Sequence, residues 1–217
     1  MSFGRRTQQE LSIARDADVQ QEQRFLHQRV LKHVLKKNGQ YNMPYSYGKY
    51  KNEVRDKIKS CFNPETEILD VGAGSGVYSD LLWDTHKNLD ALEIFPNYIQ
   101  MFELEKRYRS VIQADINHFN FEGYGLLIMG DILEHLTIQD AHKILDKIKK
   151  NNQGVMVAVP YLYEQGEEFG NIHETHLQPE LTPEVMLERY PDLTLLYGDE
   201  NYGYYVNSFF SQKCNQL

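Results

Sequence analysis

Residues 68–76 read Ile68-Leu69-Asp70-Val71-Gly72-Ala73-Gly74-Ser75-Gly76, an apolar run that enters three closely spaced glycines. Glycines in such a turn let the chain reverse tightly and let a ligand approach the backbone. The spacing is G-x-G-x-G. A dinucleotide turn would need its last glycine at position 77, which is Val77. Asp70 stands two residues before the first glycine. A carboxylate there is badly placed for a pyrophosphate and suits a cation. Two further acids end the next apolar runs, Glu93 in Ala91-Leu92-Glu93-Ile94-Phe95 and Asp115 in Gln113-Ala114-Asp115-Ile116. Glu93 can accept hydrogen bonds from both hydroxyls of a ribose. Asp115 can accept from an adenine amino group, with Ile94 and Ile116 on the two faces of the ring. The plainer alternative for either acid is a turn cap.

A second group lies further on. Gly130-Asp131-Ile132-Leu133-Glu134-His135-Leu136 follows another apolar run, and Gly130 and Asp131 complete the candidate cofactor set. Tyr161 to His176 forms a long polar insertion that carries His173 and His176. An ordinary imidazole titrates near pH 6.5, so His173, His176 or His135 is a candidate general base, and Tyr161 is a further catalytic candidate. Asp131, Glu134 and His135, with His173 or His176, are also of the types that hold a divalent metal. The alternative is that Glu134 and His135 cap the following helix and bound the pocket, the other histidines being surface residues. The reading without a metal is the one the sequence favours.

These residues need elements to position them. Lys51 to Phe62 reads as a helix, Glu67 to Val71 as a strand, and Val77 to Thr85 as a helix. Strands follow at Leu89 to Phe95 and Val111 to Ile116, around a helix from Pro96 to Tyr108. Leu126 to Gly130 and Gly154 to Val159 are strands around a helix from Ile138 to Lys150. Thr182 caps a helix that starts with Pro183 and runs to Tyr190. Leu193 to Tyr197 and Tyr204 to Phe210 read as an antiparallel hairpin. Strands separated by helices imply a parallel, doubly wound sheet. The fold class expected is α/β: a Rossmann-like, seven-stranded, mostly parallel sheet with an antiparallel last strand, plus an N-terminal helical arm. Two domains are expected, residues 1–49 (arm and tyrosine-rich loop) and 50–217. Tyr41, Tyr45, Tyr47 and Tyr50 either lid a pocket or pack under the arm.

From about Tyr50 to Phe210 the chain resembles class I S-adenosylmethionine-dependent methyltransferases. The glycine turn, Glu93 and Asp115 in register, and the terminal hairpin carry the resemblance. It implies S-adenosylmethionine as cofactor, held by Asp70, Gly72, Ala73, Gly74, Gly76, Glu93, Ile94, Asp115, Ile116, Gly130 and Asp131. The segment from Asp131 to His135 is similar to the D-x-L-E-H segment of many small-molecule methyltransferases. It is unlike the N-P-P-Y segment of amino-group DNA methyltransferases, and no Pro-Cys nucleophile for cytosine C5 chemistry is present. It is also similar to the E-x-x-E-H segment that holds a metal in small-RNA 3′-end methyltransferases. Ser46–Val54, Val159–Gly166 and Leu181–Pro191 look like methyltransferases associated with surface glycan genes. The implied function is transfer of a methyl group to an oxygen or nitrogen of a small polar molecule or saccharide. The alternatives are an RNA sugar-hydroxyl methyltransferase and a non-catalytic cofactor-binding partner subunit.

Composition narrows the partners. Through Cys61 the chain has 13 Lys and Arg against 6 Asp and Glu, a net of +7 that leaves −15 on the rest of a chain totalling −8. An acidic body repels phosphate backbones, so nucleic acid is disfavoured as a partner. Phe25, Leu26, Val30, Leu31, Val34 and Leu35 recur at helical spacing and suit docking on the body or a homodimer contact. No apolar run is long enough to span a membrane. The two cysteines, Cys61 and Cys214, form no disulfide framework, which with the lack of a secretory signal leads to a cytoplasmic expectation.

Overall fold

The computed structural model describes residues 47–215. The arm, the homodimer contact expected of it, Tyr41 and Tyr45 lie outside them. Helix α1 (Lys51–Cys61) buries Lys51, Val54, Ile58 and Cys61, a spacing that makes one face. Strand β1 (Ile68–Val71) leads through the glycine turn to α2 (Val77–Leu82). Then come β2 (Leu89–Glu93), α3 (Pro96–Met101), β3 (Ser110–Gln113) and β4 (Leu126–Gly130). The second half holds α4 (Ile138–Lys150), β5 (Gly154–Pro160), α5 (Pro183–Arg189), β6 (Leu193–Gly198), β7 (Tyr202–Asn207) and α6 (Ser208–Cys214).

The seven strands lie in the order β3-β2-β1-β4-β5-β7-β6. All neighbours pair in parallel except at β7, which runs antiparallel to both β5 and β6. Strands β1, β2, β4 and β5 are buried on both faces, as a doubly covered parallel sheet requires. One apolar cluster joins Val54, Ile58, Leu82 and Phe210 to one face, and another joins Ala141, Ile144, Ile148 and Met186 to the opposite face. The strand order reverses between β1 and β4. Their carboxyl ends splay into a crevice there, which is where ligands of open α/β sheets bind. No helix among the described residues is long and apolar enough to cross a membrane.

Besides trimming element ends, such as the helix expected to Thr85 at Leu82 and the strand expected to Ile116 at Gln113, the structure makes three corrections that shape the fold. The helix expected to reach Tyr108 stops at Met101, and Glu103 takes φ 49°. That left-handed turn redirects the chain, so that Arg107 and Tyr108 reach back to the glycine turn and to Asp70. The last strand ends at Asn207, where the expectation ran to Phe210. The Asn207 side chain accepts from the Phe210 N–H at 3.0 Å and caps α6. Cys61 and Cys214, expected as free thiols, form a disulfide across 153 residues that ties α1 to α6. No spacing pattern marks such a pair; only the fold brings the two helices together. Tertiary closure of so long a loop is expected to contribute about 2–4 kcal/mol. Thermal melts should therefore shift down on adding a reductant, and a Cys61→Ala/Cys214→Ala variant should melt where the reduced protein does.

Tyr47 and Tyr50 pack and do not form a lid. Tyr47 stacks on Tyr202 with ring centroids 5.1 Å apart, and Tyr50 on Tyr197 at 5.9 Å. Lys49 pairs with Asp199 at 2.7 Å. The segment before α1 is thus strapped to the β6–β7 hairpin, which sets where α1 begins.

Candidate functional site

The glycine turn is built for close packing. Gly72 has φ 64°, and a Cβ there would fall 1.9 Å from Ile132 Cδ1. Gly76 has φ 72° and lies against the Arg107 guanidinium, whose nitrogens donate to the Ser75 and Gly76 carbonyls. A cavity opens over this turn. Asp70, Gly72, Ala73, Gly74, Glu93, Ile94, Asp115, Ile116, Gly130 and Asp131 all line it. Every candidate cofactor residue except Gly76 is therefore on one wall set. Gly76 sits behind the turn, at the N-cap of α2.

The acids divide by environment. Asp70 is buried and accepts from the Tyr108 hydroxyl. Burial pushes its carboxyl up to about 7, although the Tyr108 bond and the Lys51 ammonium oppose the shift. Glu93 is buried and held by two backbone donors, Gly74 N–H to Oε2 and Phe95 N–H to Oε1, both at 2.9 Å. Burial raises its carboxyl, and those N–H groups pull the other way. It ties the turn after β1 to the turn after β2. A carboxylate has about four lone-pair positions, so these two bonds leave acceptor capacity for a ligand. Asp115 accepts from Asn117 N–H at 2.8 Å and so caps a turn as well as lining the cavity.

The second group gathers beyond the end of β4. Asp131 has φ 56° and is pinned by the Tyr202 hydroxyl, which donates to its Oδ1. The next residues form a single tight turn, Leu133–His135. Glu134 is completely buried, and neither carboxylate oxygen has a hydrogen-bond partner. Burial and the neighbouring Asp131 charge raise its pKa far above the ordinary carboxylate value. The donor atoms of Glu134, His135 and His176 lie within 4.8 Å of one another.

Both imidazoles are set in one tautomer. His135 Nδ1 faces the Thr175 carbonyl at 3.2 Å, and His176 Nδ1 faces the Tyr163 carbonyl at 2.7 Å. A carbonyl only accepts, so each Nδ1 carries the hydrogen and each Nε2 keeps a free lone pair. His176 Nε2 is buried without a partner. Burial, and then the neighbouring His176, lower His135 to about 4; burial also lowers His176. Gln178 fastens the insertion to this turn. Its amide donates to the Leu133 and Leu136 carbonyls, at 2.9 and 3.0 Å, and accepts from Arg189 and Tyr190.

The catalytic candidates separate. His135 and His173 line the cavity, whereas His176 stands behind His135 with ring centroids 4.7 Å apart. His173 is exposed at the cavity edge. Tyr161 does not line it; its hydroxyl bonds Tyr205 in the core on the α4 and α5 side of the sheet. The reason is register: Pro160 pairs with Tyr202, so the next residue turns under the hairpin. Sequence reasoning missed Asn171, Glu174, Tyr98 and Tyr78, which also line the cavity. Glu174 is raised to about 7 by burial, with the nearby Tyr98 hydroxyl opposing the shift. A polar insertion after β5 was the available signal for Asn171 and Glu174. None existed for the tyrosines.

Residues 69–152 match the family model described as a methyltransferase domain. No curated protein matches the chain. Among solved structures it is similar to an S-adenosylmethionine-dependent methyltransferase from Clostridium acetobutylicum, at 14% identity and TM-score 0.59, covering 82% of this chain and 98% of that one. It is similar to the methyltransferase domain of bacterial CtHen1, at 17% identity and TM-score 0.53, covering 71% and 95%. A third is a SAM-dependent methyltransferase from Archaeoglobus fulgidus, at 14% identity and TM-score 0.53, covering 72% and 93%. At these identities the shared property is the fold.

Proposed function

We propose that this chain is a class I S-adenosylmethionine-dependent methyltransferase, a reading that its matched methyltransferase domain and its fold support, and that it methylates an oxygen or nitrogen of a small polar molecule or saccharide. The observation that carries this reading is the polar insertion after β5. It brings Asn171, His173 and Glu174 to the same cavity as Asp70 and Glu93. In this reading Asp70 takes the cofactor's amino group, Glu93 its ribose and Asp115 its adenine.

The cofactor supplies an activated methyl on a sulfonium. The chain has to align the acceptor with that methyl and receive the acceptor's proton. His173 stands at the cavity edge, and His135 holds an unprotonated Nε2 at the end of β4. Either geometry suits proton removal from a hydroxyl, His135 only where its Nε2 does not hold a cation. Asn171 and Glu174 offer donors and acceptors that match a hydroxylated substrate better than an apolar one.

A divalent cation fits the cluster at Glu134, His135 and His176. The fit rests on three features: a buried carboxylate without partners, two free Nε2 lone pairs, and Nδ1 atoms engaged by carbonyls. Two imidazoles and a carboxylate suit a first-row transition ion better than magnesium. Asp131 Oδ2, also buried and without a partner, is a fourth candidate donor. When bound, such an ion would polarise an acceptor hydroxyl. This cluster also favours a second reading, methylation of an RNA sugar hydroxyl.

The test is transfer of radiolabelled methyl from S-adenosylmethionine to fractionated cell extract, with chelator and with manganese restored. Label in the small-molecule or saccharide fractions is the expected result. Label confined to RNA would replace the first acceptor class by the second. Cofactor binding with no label in any fraction would overturn both and leave a non-catalytic subunit. Full activity after exhaustive chelation would remove the metal from the reading.

A further inference from the structure

Lys51 is the one buried lysine or arginine among the described residues. It opens α1, at the point where the Tyr47–Tyr50 strap ends. Its Nζ donates to the Tyr78 hydroxyl at 3.1 Å and lies 4.5 Å from the centre of that ring. None of the ion pairs among the described residues includes it. Burial lowers the ammonium to about 8, against the pull of Asp131 and Asp70. A buried cation without a direct carboxylate partner is costly, so its retention calls for a reason.

Its location supplies one. Tyr78 lines the cavity and packs against Gly130, where a Cβ would meet its Cε2 at 2.7 Å. The Lys51–Tyr78 pair therefore stands at the β1 and β4 ends of the crevice, while Glu93 and Asp115 mark the β2 and β3 ends. Because Tyr78 Oη accepts from Lys51, its own hydrogen is available to point elsewhere. The buried charged groups around this end, Asp70, Asp131 and Glu134, are otherwise all acidic.

We propose that Tyr78, backed by Lys51, binds the α-carboxylate of the cofactor's amino-acid end. Tyr78 donates its hydroxyl hydrogen to that carboxylate, and Lys51 is a positioning residue that polarises the hydroxyl and supplies the compensating charge. Asp70 faces the amino group, so the two groups of the zwitterion are read by opposite charges. This rests on the cofactor assignment made above.

The experiment compares S-adenosylmethionine with its decarboxylated analogue, which keeps the sulfonium and the amine and lacks the carboxylate. Calorimetry on the wild-type protein should show a preference for the carboxylated cofactor on the order of 10- to 100-fold, as a hydrogen bond to a charged group implies. In Lys51→Met and in Tyr78→Phe that preference should collapse toward unity, with affinity for the analogue unchanged. Lys51→Arg should restore part of it. Equal binding of the two ligands by the wild type would overturn the proposal without any variant. So would a Lys51→Met protein that loses affinity for both ligands in equal measure, because that is the mark of a structural role. If the wild type bound neither ligand, the cofactor assignment itself would fall, and this proposal with it.

Discussion

Glu134→Gln is expected to lower the turnover number about 10³-fold while leaving the protein as stable as the wild type in the presence of chelator. The two halves of this expectation come from one observation. Glu134 is fully buried and neither oxygen has a partner. A carboxylate in that state contributes no hydrogen bond to the fold, and Asp131 beside it adds like-charge repulsion. Removing its charge should cost the fold little, since it is the breaking of a satisfied pair that destabilises, not the neutralisation of an unsatisfied group. The activity loss follows from the donor set. Glutamine keeps the shape and removes the anionic donor, so the cluster loses its only fully buried carboxylate. Removing one electrostatic contributor near a reacting group costs about 10²–10³-fold in well-studied cases, and the upper end applies under the proposal that the cluster holds a cation, which the glutamine would release. The checks are kcat at saturating cofactor, melting temperature with chelator, and manganese content of the purified variant. A helix-capping Glu134 would give the reverse pattern: a lower melting temperature and a turnover number that recovers at lower temperature. Gln178→Ala tests the same turn from outside, because it removes the amide that holds the Leu133 and Leu136 carbonyls.

The parts of this arrangement legible in the sequence are those with short-range physical causes. Apolar runs of strand length flanked by helical periodicity determine the order of elements, and β1, β4, α4 and β5 fall where the pattern puts them. The glycine turn is legible because glycine takes the left-handed conformation seen at Gly72 without the strain a side chain adds, so closely spaced glycines mark a turn. Glu93 is legible because a strand end at that distance from the turn lies beside it. What escaped has long-range causes. Cys61 and Cys214 meet only because α1 and α6 pack on the same face of the sheet. Tyr202 reaches Asp131 because β7 inserts between β5 and β6, a position that no local pattern encodes. Lys51 reads as an ordinary polar residue at a helix start, and its burial depends on Tyr78 and Tyr204 from two other elements. The sequence offers His135, His173 and His176 as bases or as metal ligands; the common tautomer of His135 and His176 depends on carbonyls of Thr175 and Tyr163, which the sequence does not place.

Glu93→Ala should weaken cofactor binding by about 10²–10³-fold and also lower stability by about 1–3 kcal/mol, whereas turnover at saturating cofactor should change little. The binding loss has two sources that a second substitution can separate. In the proposed pose the carboxylate accepts from both ribose hydroxyls, and alanine removes both acceptors. Alanine also orphans the N–H groups of Gly74 and Phe95, each now 2.9 Å from a carboxylate oxygen, and so loosens the turn that approaches the ligand. Glutamine retains one acceptor oxygen in place of two. Its amide nitrogen meets the other N–H as a donor facing a donor, so Glu93→Gln should keep only part of the stability. If the carboxylate served the turn alone, the loss in cofactor affinity across alanine and glutamine would track the loss in melting temperature. If it also serves the ribose, a 2′-deoxy cofactor analogue should bind the wild type more weakly than the parent does, and Glu93→Ala should bind the two equally. The kinetic signature differs in kind from that of Glu134. Glu93 acts on the ground state and the transition state alike, so its effect appears in KM, while an acceptor-side group acts on kcat. Measuring both variants over a cofactor titration therefore tests whether the cavity is divided as proposed, with nucleoside recognition at the ends of β2 and β3 and acceptor chemistry beyond the end of β4.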